Sequence, residues 1–178
     1  MIKNTLLTQL ETRRSCRAYL PEQIKDEALQ TVLEAGVWAP TGMGAQSPVI
    51  VVVQDKAAIA QLSKMNAAIM GTDSDPFYGA PTVLVVLADK TRSTHVEDGS
   101  LVLGNMMNAA HSIGLGSCWI HRAKEEFESA GGKALLQKWG VPNAENLVGV
   151  GHCLLGIPAP GGLGKPKARK ADYVTYVR

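Results

Sequence analysis

Five residues near the start of the chain, Arg13-Arg14-Ser15-Cys16-Arg17, hold three guanidiniums and a hydroxyl directly after a short amphipathic segment. An ionised arginine is costly to bury without a partner, so such a cluster does not belong in a core. Guanidinium groups present fixed forks of N–H donors that match phosphate oxygens, and a serine hydroxyl adds one more donor. The cluster reads either as an anion site, with a cofactor phosphate as the natural anion, or as a basic turn facing water. A second basic group, Lys165, Lys167, Arg169 and Lys170, lies near the far end of the chain.

Two other segments look out of place for plain scaffold. Residues 39–48, Ala-Pro-Thr-Gly-Met-Gly-Ala-Gln-Ser-Pro, form a small-residue loop with free backbone amides, and Gln46 adds an amide donor and a carbonyl acceptor. Such a loop suits the edge of a planar heterocycle, or is a simple surface connection. It makes Thr41, Gly42 and Met43 candidates for contact with a substrate. Residues 75–81, Asp-Pro-Phe-Tyr-Gly-Ala-Pro, hold an aromatic pair between prolines. Phe77 and Tyr78 either cover an apolar ligand face or pack the sheet edge; the sequence leaves both open.

Other chemistries find little support. Gly149-Val-Gly-His-Cys-Leu-Leu-Gly156 lies inside an apolar run rather than at a strand-to-helix turn, so it is no dinucleotide fingerprint. We read its glycines as allowing close packing. His95, His111, His121 and His152 are not spaced as metal-ligand pairs, and His152-Cys153 reads as core. No Gly-x-Ser-x-Gly elbow supports a serine nucleophile. Cys118 sits in an apolar context that raises a thiol pKa and leaves it inert. The three cysteines form no C-x-x-C and indicate no disulfide framework.

The elements that must position these groups follow from periodicity. Asn4 caps a short helix over 5–12, Leu29 to Val37 repeat at helical spacing up to Pro40, and 56–70 is helical again. Residues 49–53, 82–88 and 147–155 are β-branched or apolar runs that read as strands buried on both faces. Val96 to Ile113 is apolar nearly all round with interspersed small residues, the pattern of a helix buried centrally or against another subunit. A glycine turn and a short strand cover 114–120; helical patches cover 125–130 and 133–140; Tyr173 to Val177 reads as a possible edge strand. The 178 residues, 46% hydrophobic and 19% charged, suit one α+β domain over 1–178 with a sheet inside and helices outside. A net charge of +2 is too small to argue for nucleic acid. With no signal region and no membrane-length apolar run, a reducing, cytoplasmic setting is expected.

Taken in order, Arg-Arg-Ser-x-Arg, Ala-Pro-Thr-Gly-Met then Gln46, Phe-Tyr-Gly-Ala-Pro, a small-residue helix into Gly114-Leu-Gly-Ser-Cys-Trp119 and a closing Lys-x-Arg resemble the FMN-dependent nitroreductase family across nearly the whole chain. The resemblance implies an α+β fold with a central mixed or antiparallel sheet flanked by helices, a homodimer with FMN at the subunit interface, a long central helix from each subunit, and a C-terminal segment reaching across. It implies that Arg13, Ser15 and Arg17 contact FMN, with Arg13 on the phosphate and Arg14 offering a backbone contact. Gln46 matches a residue at the flavin ring or ribityl chain. Lys167 and Arg169 match a basic pair at the phosphate. Gly116, Ser117 and Cys118 match a loop whose amide faces flavin N5, and Asn66 a residue at the pyrimidine edge. The implied activity is hydride transfer from NADH or NADPH through flavin N5 to a nitroaromatic, quinone or other electron-poor small molecule. Same-fold reactions such as reductive dehalogenation or flavin breakdown, and a non-enzymatic flavin- or anion-binding module, remain open. The chain reads Gln46-Ser47-Pro48 where relatives commonly read Gln-Pro-Trp, so that pocket wall differs.

Overall fold

The computed structural model describes residues 2–178. Asn4 accepts from the Leu7 amide at 2.8 Å and starts helix α1 (Thr5–Thr12), as a capping side chain should. Helix α2 (Asp26–Val37) precedes a single 3-10 turn at Gly42–Gly44 and strand β1 (Pro48–Val53). Asp55 caps α3 (Lys56–Met70), and Gly71 ends it with φ 71°, a left-handed conformation that glycine adopts without strain. Strand β2 (Thr82–Asp89), the long helix α4 (His95–Ser112) and strand β3 (Gly116–Ile120) follow. Helices α5 (Ala123–Glu128) and α6 (Ala130–Lys138) lead to strand β4 (Leu147–Gly156).

The strands form one sheet in the order β1-β2-β4-β3, antiparallel at every pairing. β2 occupies an inner position and alternates strictly. Leu84, Val86 and Ala88 face α2 and α4, where they meet Leu29, Val32, Leu103 and Met106. Val83, Val85 and Leu87 face α3, α5 and α6, where they meet Leu62, Phe127 and Leu136. Helices cover both faces of the sheet, the arrangement expected for strands this uniformly apolar. β4 carries a bulge at Val150, opposite the step between Val86 and Leu87. There the two layers approach closely: a Cβ on Gly149 would lie 2.2 Å from the Ala123 carbonyl oxygen, and one on Gly99 would lie 2.6 Å from Val150. These glycines let α5 and α4 seat directly on the strand.

Two expectations need correction. β1 is not buried on both faces: it is an edge strand, half-buried along most of its length, with Val52 exposed. Residues 173–177 form no strand, and their side chains are exposed. Helix α4 buries Asp98, Gly99, Val102, Leu103, Met106 and Ala110, but leaves Val96 and Leu101 exposed. Among the described residues no helix is long and apolar enough to cross a membrane.

Candidate functional site

Residues 15–17 are held as an extended rung beyond the free edge of β3. The Cys16 amide donates to Ser117 O at 2.9 Å, the Arg17 amide to Gly162 O at 2.8 Å, and the Gly164 amide to Ser15 O at 3.0 Å. Glycines make the close approach possible, since a Cβ on Gly116 would meet Cys16 Sγ at 2.7 Å. The start of the basic tail is thereby fastened to Ser15, and a Cβ on Gly164 would lie 3.9 Å from a terminal nitrogen of Arg17. The two ends of the chain meet here, although Lys167 and Arg169 themselves extend into solvent.

Within this junction the arginines differ. Arg14 turns Nη1 back onto the carbonyls of Glu11 and Arg13, at 2.8 and 2.7 Å, and so closes the end of α1. Arg17 is exposed. Arg13 has a buried Nη1 with no hydrogen-bond partner. A buried cationic donor left unsatisfied is unfavourable by roughly 1–3 kcal/mol or more, so the arrangement fits an anion that supplies the missing acceptor. The neighbours feel the same positive field. His111, at the end of α4 and 2.9 Å from Thr12 Oγ1, is held below the ordinary histidine range, first by burial and then by Arg13 and Arg14. Burial raises the Cys118 thiol, with Arg17 and the Ser15 hydroxyl pulling the other way; burial pushes Cys153 up to about 12. Neither thiol is a nucleophile in this state.

The loop into β1 is the second half of the candidate site. Met43, Gly44 and Gln46 all take positive φ, at 56°, 66° and 51°. For the two non-glycine residues this is unfavourable by about 1–2 kcal/mol each. The loop is tied at its base, where the Gln46 amide donates to Thr41 Oγ1 at 3.0 Å and the Gly42 amide to Asp98 Oδ1 at 2.8 Å. Met43 points fully outward, and the Gln46 side chain is exposed. Behind the loop, Thr41, Gln46, Leu33, Ala39, Ile50 and Val102 line a cavity of about 330 Å³.

Two sequence candidates lie in the interior instead. Asn66 is fully buried and donates to His121 O at 2.7 Å and to Glu126 Oε1, so both amide hydrogens are spent inside the protein. Glu126 also bonds the buried His152 at 3.1 Å. Asn66 as it stands offers no donor to a pyrimidine edge. Its contact is with the carbonyl before Arg122, a non-glycine residue at φ 78° that opens α5. Phe77 is likewise fully buried, its ring 5.2 Å from that of His152, because the turn at 75–79 closes over Asp75. Of the aromatic pair only Tyr78, at φ 54°, reaches solvent. The larger cavity, about 700 Å³ between α3 and residues 72–81, holds none of the basic cluster. Asp98 and Arg122 escaped the sequence reading, and His111 was weighed there only as a metal ligand: an acid in a first helical turn and a lone histidine look ordinary, and arginine does not signal a left-handed residue.

The two halves do not meet within one protomer. The loop at Gly42 is tied to Asp98 near the start of α4, and Arg13 adjoins His111 at its end. At 1.5 Å per residue these points are roughly 20 Å apart. One half also feeds the β1 edge of the sheet while the other extends the β3 edge.

Comparison with known proteins finds relatives that share this fold. A nitroreductase crystal structure with bound FMN from Bacteroides fragilis superimposes with a TM-score of 0.90, covering 99% of this chain and 100% of that one at 31% identity. A nitroreductase with bound FMN from Desulfitobacterium hafniense gives 0.87 at 26% identity, over 99% and 100% of the two chains. An Archaeoglobus fulgidus protein with the provisional name NADH dehydrogenase/NAD(P)H nitroreductase is 33% identical over 157 residues, 85% of this chain and 84% of its own. The nitroreductase family model matches residues 10–157. With its four-stranded antiparallel sheet, covering helices and Arg13–Arg17 junction, the chain belongs to the nitroreductase family.

Proposed function

We propose that the protein is an FMN-dependent NAD(P)H oxidoreductase acting on nitroaromatic, quinone or related electron-poor acceptors. The observation that carries this reading is the buried, unpartnered Nη1 of Arg13 at the junction of the two chain ends. It fits a phosphate better than it fits any structural role. Arg13 and Ser15 bind the FMN phosphate, Arg17, Lys167 and Arg169 add positive charge around it, and the Arg14 backbone and the Gly116–Cys118 edge flank the cofactor. FMN supplies the hydride chemistry, which needs no general acid for the transfer itself. The chain's own part is to hold the cofactor, with Gln46 at the flavin ring or ribityl chain, and to present the Thr41–Met43 loop and Tyr78 to whatever reacts.

Because those halves stand about 20 Å apart on one protomer, the complete site belongs to a homodimer. Antiparallel pairing of two α4 helices sets the Asp98 end of one beside the His111 end of the other. The exposed Leu6, Leu10 and Leu101, together with the aromatic tail at Tyr173 and Tyr176, supply apolar surface for that contact. Three free cysteines suit a reducing cytoplasmic setting. The direct test is to load the protein with FMN under anaerobic conditions and add NADH or NADPH. Bleaching of the flavin absorbance, reversed by a quinone or nitroaromatic, is the expected result. A protein that takes up FMN but is bleached by neither nicotinamide refutes the activity, and one that takes up no FMN refutes the cofactor.

A further inference from the structure

Asp98 stands in the first turn of α4, 2% exposed, and among the described residues no cation is paired with it. Its carboxyl accepts the Gly42 amide at 2.8 Å, the Thr94 hydroxyl at 3.1 Å and, at a longer 3.4 Å, the Ser47 hydroxyl. Gly42 and Ser47 are the two ends of the loop that carries Met43, Gly44 and Gln46 in left-handed conformations. Gly42 is pressed against the start of α4 so closely that a Cβ there would lie 2.3 Å from Thr94 Oγ1. Inside the loop the Gly44 amide bonds Thr41 O at 3.0 Å, the Ala45 amide bonds Gly42 O at 3.1 Å and the Gln46 amide bonds Thr41 Oγ1, which closes the turn on itself, while the bonds to Asp98 tie that turn to α4. An apolar residue at position 98 would be buried without the desolvation penalty of a carboxyl. What a carboxyl adds is four acceptor sites on two oxygens, enough to receive both loop ends and the helix cap together.

We propose that Asp98 is a positioning residue. It fixes the Gly42–Gln46 loop from behind, and through that loop it sets how well the electron acceptor is held, without itself touching acceptor or cofactor. The proposal rests on the flavoenzyme reading above, and its test separates the two.

The experiment compares FMN-loaded wild type, Asp98→Ala and Asp98→Asn by two readouts. The first is hydrogen–deuterium exchange in residues 41–47, followed by mass spectrometry. The second is the split between KM and kcat for a water-soluble quinone, with FMN content measured alongside. Asp98→Ala should speed exchange in the loop about tenfold or more, because the Gly42 amide loses its acceptor and the loop its tie to α4. It should raise the quinone KM about fivefold or more while kcat stays within about twofold. Asp98→Asn keeps one oxygen for the Gly42 amide and should recover most of both effects, which a variant that merely disturbed packing would not do. Unchanged exchange in Asp98→Ala overturns the anchor. Faster exchange with an unchanged KM overturns the link to the acceptor. Should Asp98→Ala fail to fold, Ser47→Ala and Thr94→Val remove single donors to the same carboxyl and are judged by the same two readouts. If the wild type takes up no FMN, the flavoenzyme reading and the acceptor link both fall, and exchange alone decides whether Asp98 anchors the loop.

Discussion

Replacing Arg13 with methionine should weaken FMN binding while leaving the empty protein as stable as before, or more so. The two signs come from one observation. Arg13 Nη1 is buried without an acceptor, so the folded protein already bears the desolvation of a cationic donor. A phosphate that accepts from Arg13 Nη1 gains a charge-assisted hydrogen bond of about 1.5–3 kcal/mol. At about 1.4 kcal/mol per tenfold, Arg13→Met should raise the FMN Kd by roughly 10- to 150-fold. In the empty protein the same change removes an unsatisfied donor and puts an apolar chain of similar length in its place. The apo Tm should therefore hold or rise by a few degrees, since about 1 kcal/mol moves a domain of this size by ~2–4 °C. Quenching of flavin fluorescence gives the Kd, and thermal melts with and without FMN give the two stabilities. The reasoning is refuted by an unchanged Kd. It is refuted equally by an apo form destabilised as much as the loaded one, for then Arg13 is holding protein and not phosphate.

Further predictions follow from the same neighbourhood and from the core. His111 is held low by burial, Arg13 and Arg14, so its folded pKa lies below the unfolded value of ~6.5. Its contribution to stability is then present above that value and lost as pH falls through the lower folded pKa. Both FMN binding and Arg13→Met should raise it, which an NMR titration of the imidazole would reveal; no movement in either case would place Arg13 too far away to matter. Native protein at pH 8 should react only slowly with a thiol reagent, because Cys16, Cys118 and Cys153 are all buried and the last two thiols are pushed upward. All three should react in denaturant, and rapid labelling of the native form would contradict the packing. Gly149→Ala drives a methyl to 2.2 Å from the backbone oxygen of Ala123 and should lower stability by about 1–3 kcal/mol or more in urea melts. A neutral result would mean that α5 does not rest on β4 as described.

Periodicity revealed most of the fold, and its two failures share a cause. Residues 49–53 and 82–88 read alike as apolar β-branched runs, yet one falls in an edge strand and the other lies inside the sheet. Nothing local distinguishes an edge from an interior position, because that depends on which strands pair. Tyr173 to Val177 has the alternation of a strand but finds no neighbouring strand within its own protomer. The Arg13–Arg17 cluster stood out in the sequence as a candidate anion site, with a basic turn facing water as the alternative, because three guanidiniums fall within five residues. Asn66 and Phe77 were not legible as interior residues, since their burial is decided by Glu126, His121 and His152, which lie far away in sequence. Asp98 was hidden by its setting: an acid in a first turn ordinarily serves the helix dipole, and only the fold shows what it grips.

The placement of Arg13 ties cofactor affinity to assembly. Arg13 ends α1, an eight-residue helix with no buried residue, whose Leu6 and Leu10 are largely exposed. A helix of two turns is too short to persist in water on its own propensity. Its described anchors to the rest of the protomer include the Thr12–His111 bond and the strand-like rung that follows it. Something must cover those leucines for Arg13 to stay where it is, and in the homodimer proposed above the partner does so. FMN and the partner then favour the same conformation, which makes their binding mutually reinforcing. The apparent FMN affinity should therefore fall on dilution below the dimer dissociation constant. Leu6→Ser, about 10 Å along α1 from Arg13 and without a new charge, should weaken both dimer and FMN together, as read by light scattering and flavin fluorescence across a dilution series. A monomeric variant that keeps wild-type affinity for FMN would break this link and would mean that one protomer carries the whole site.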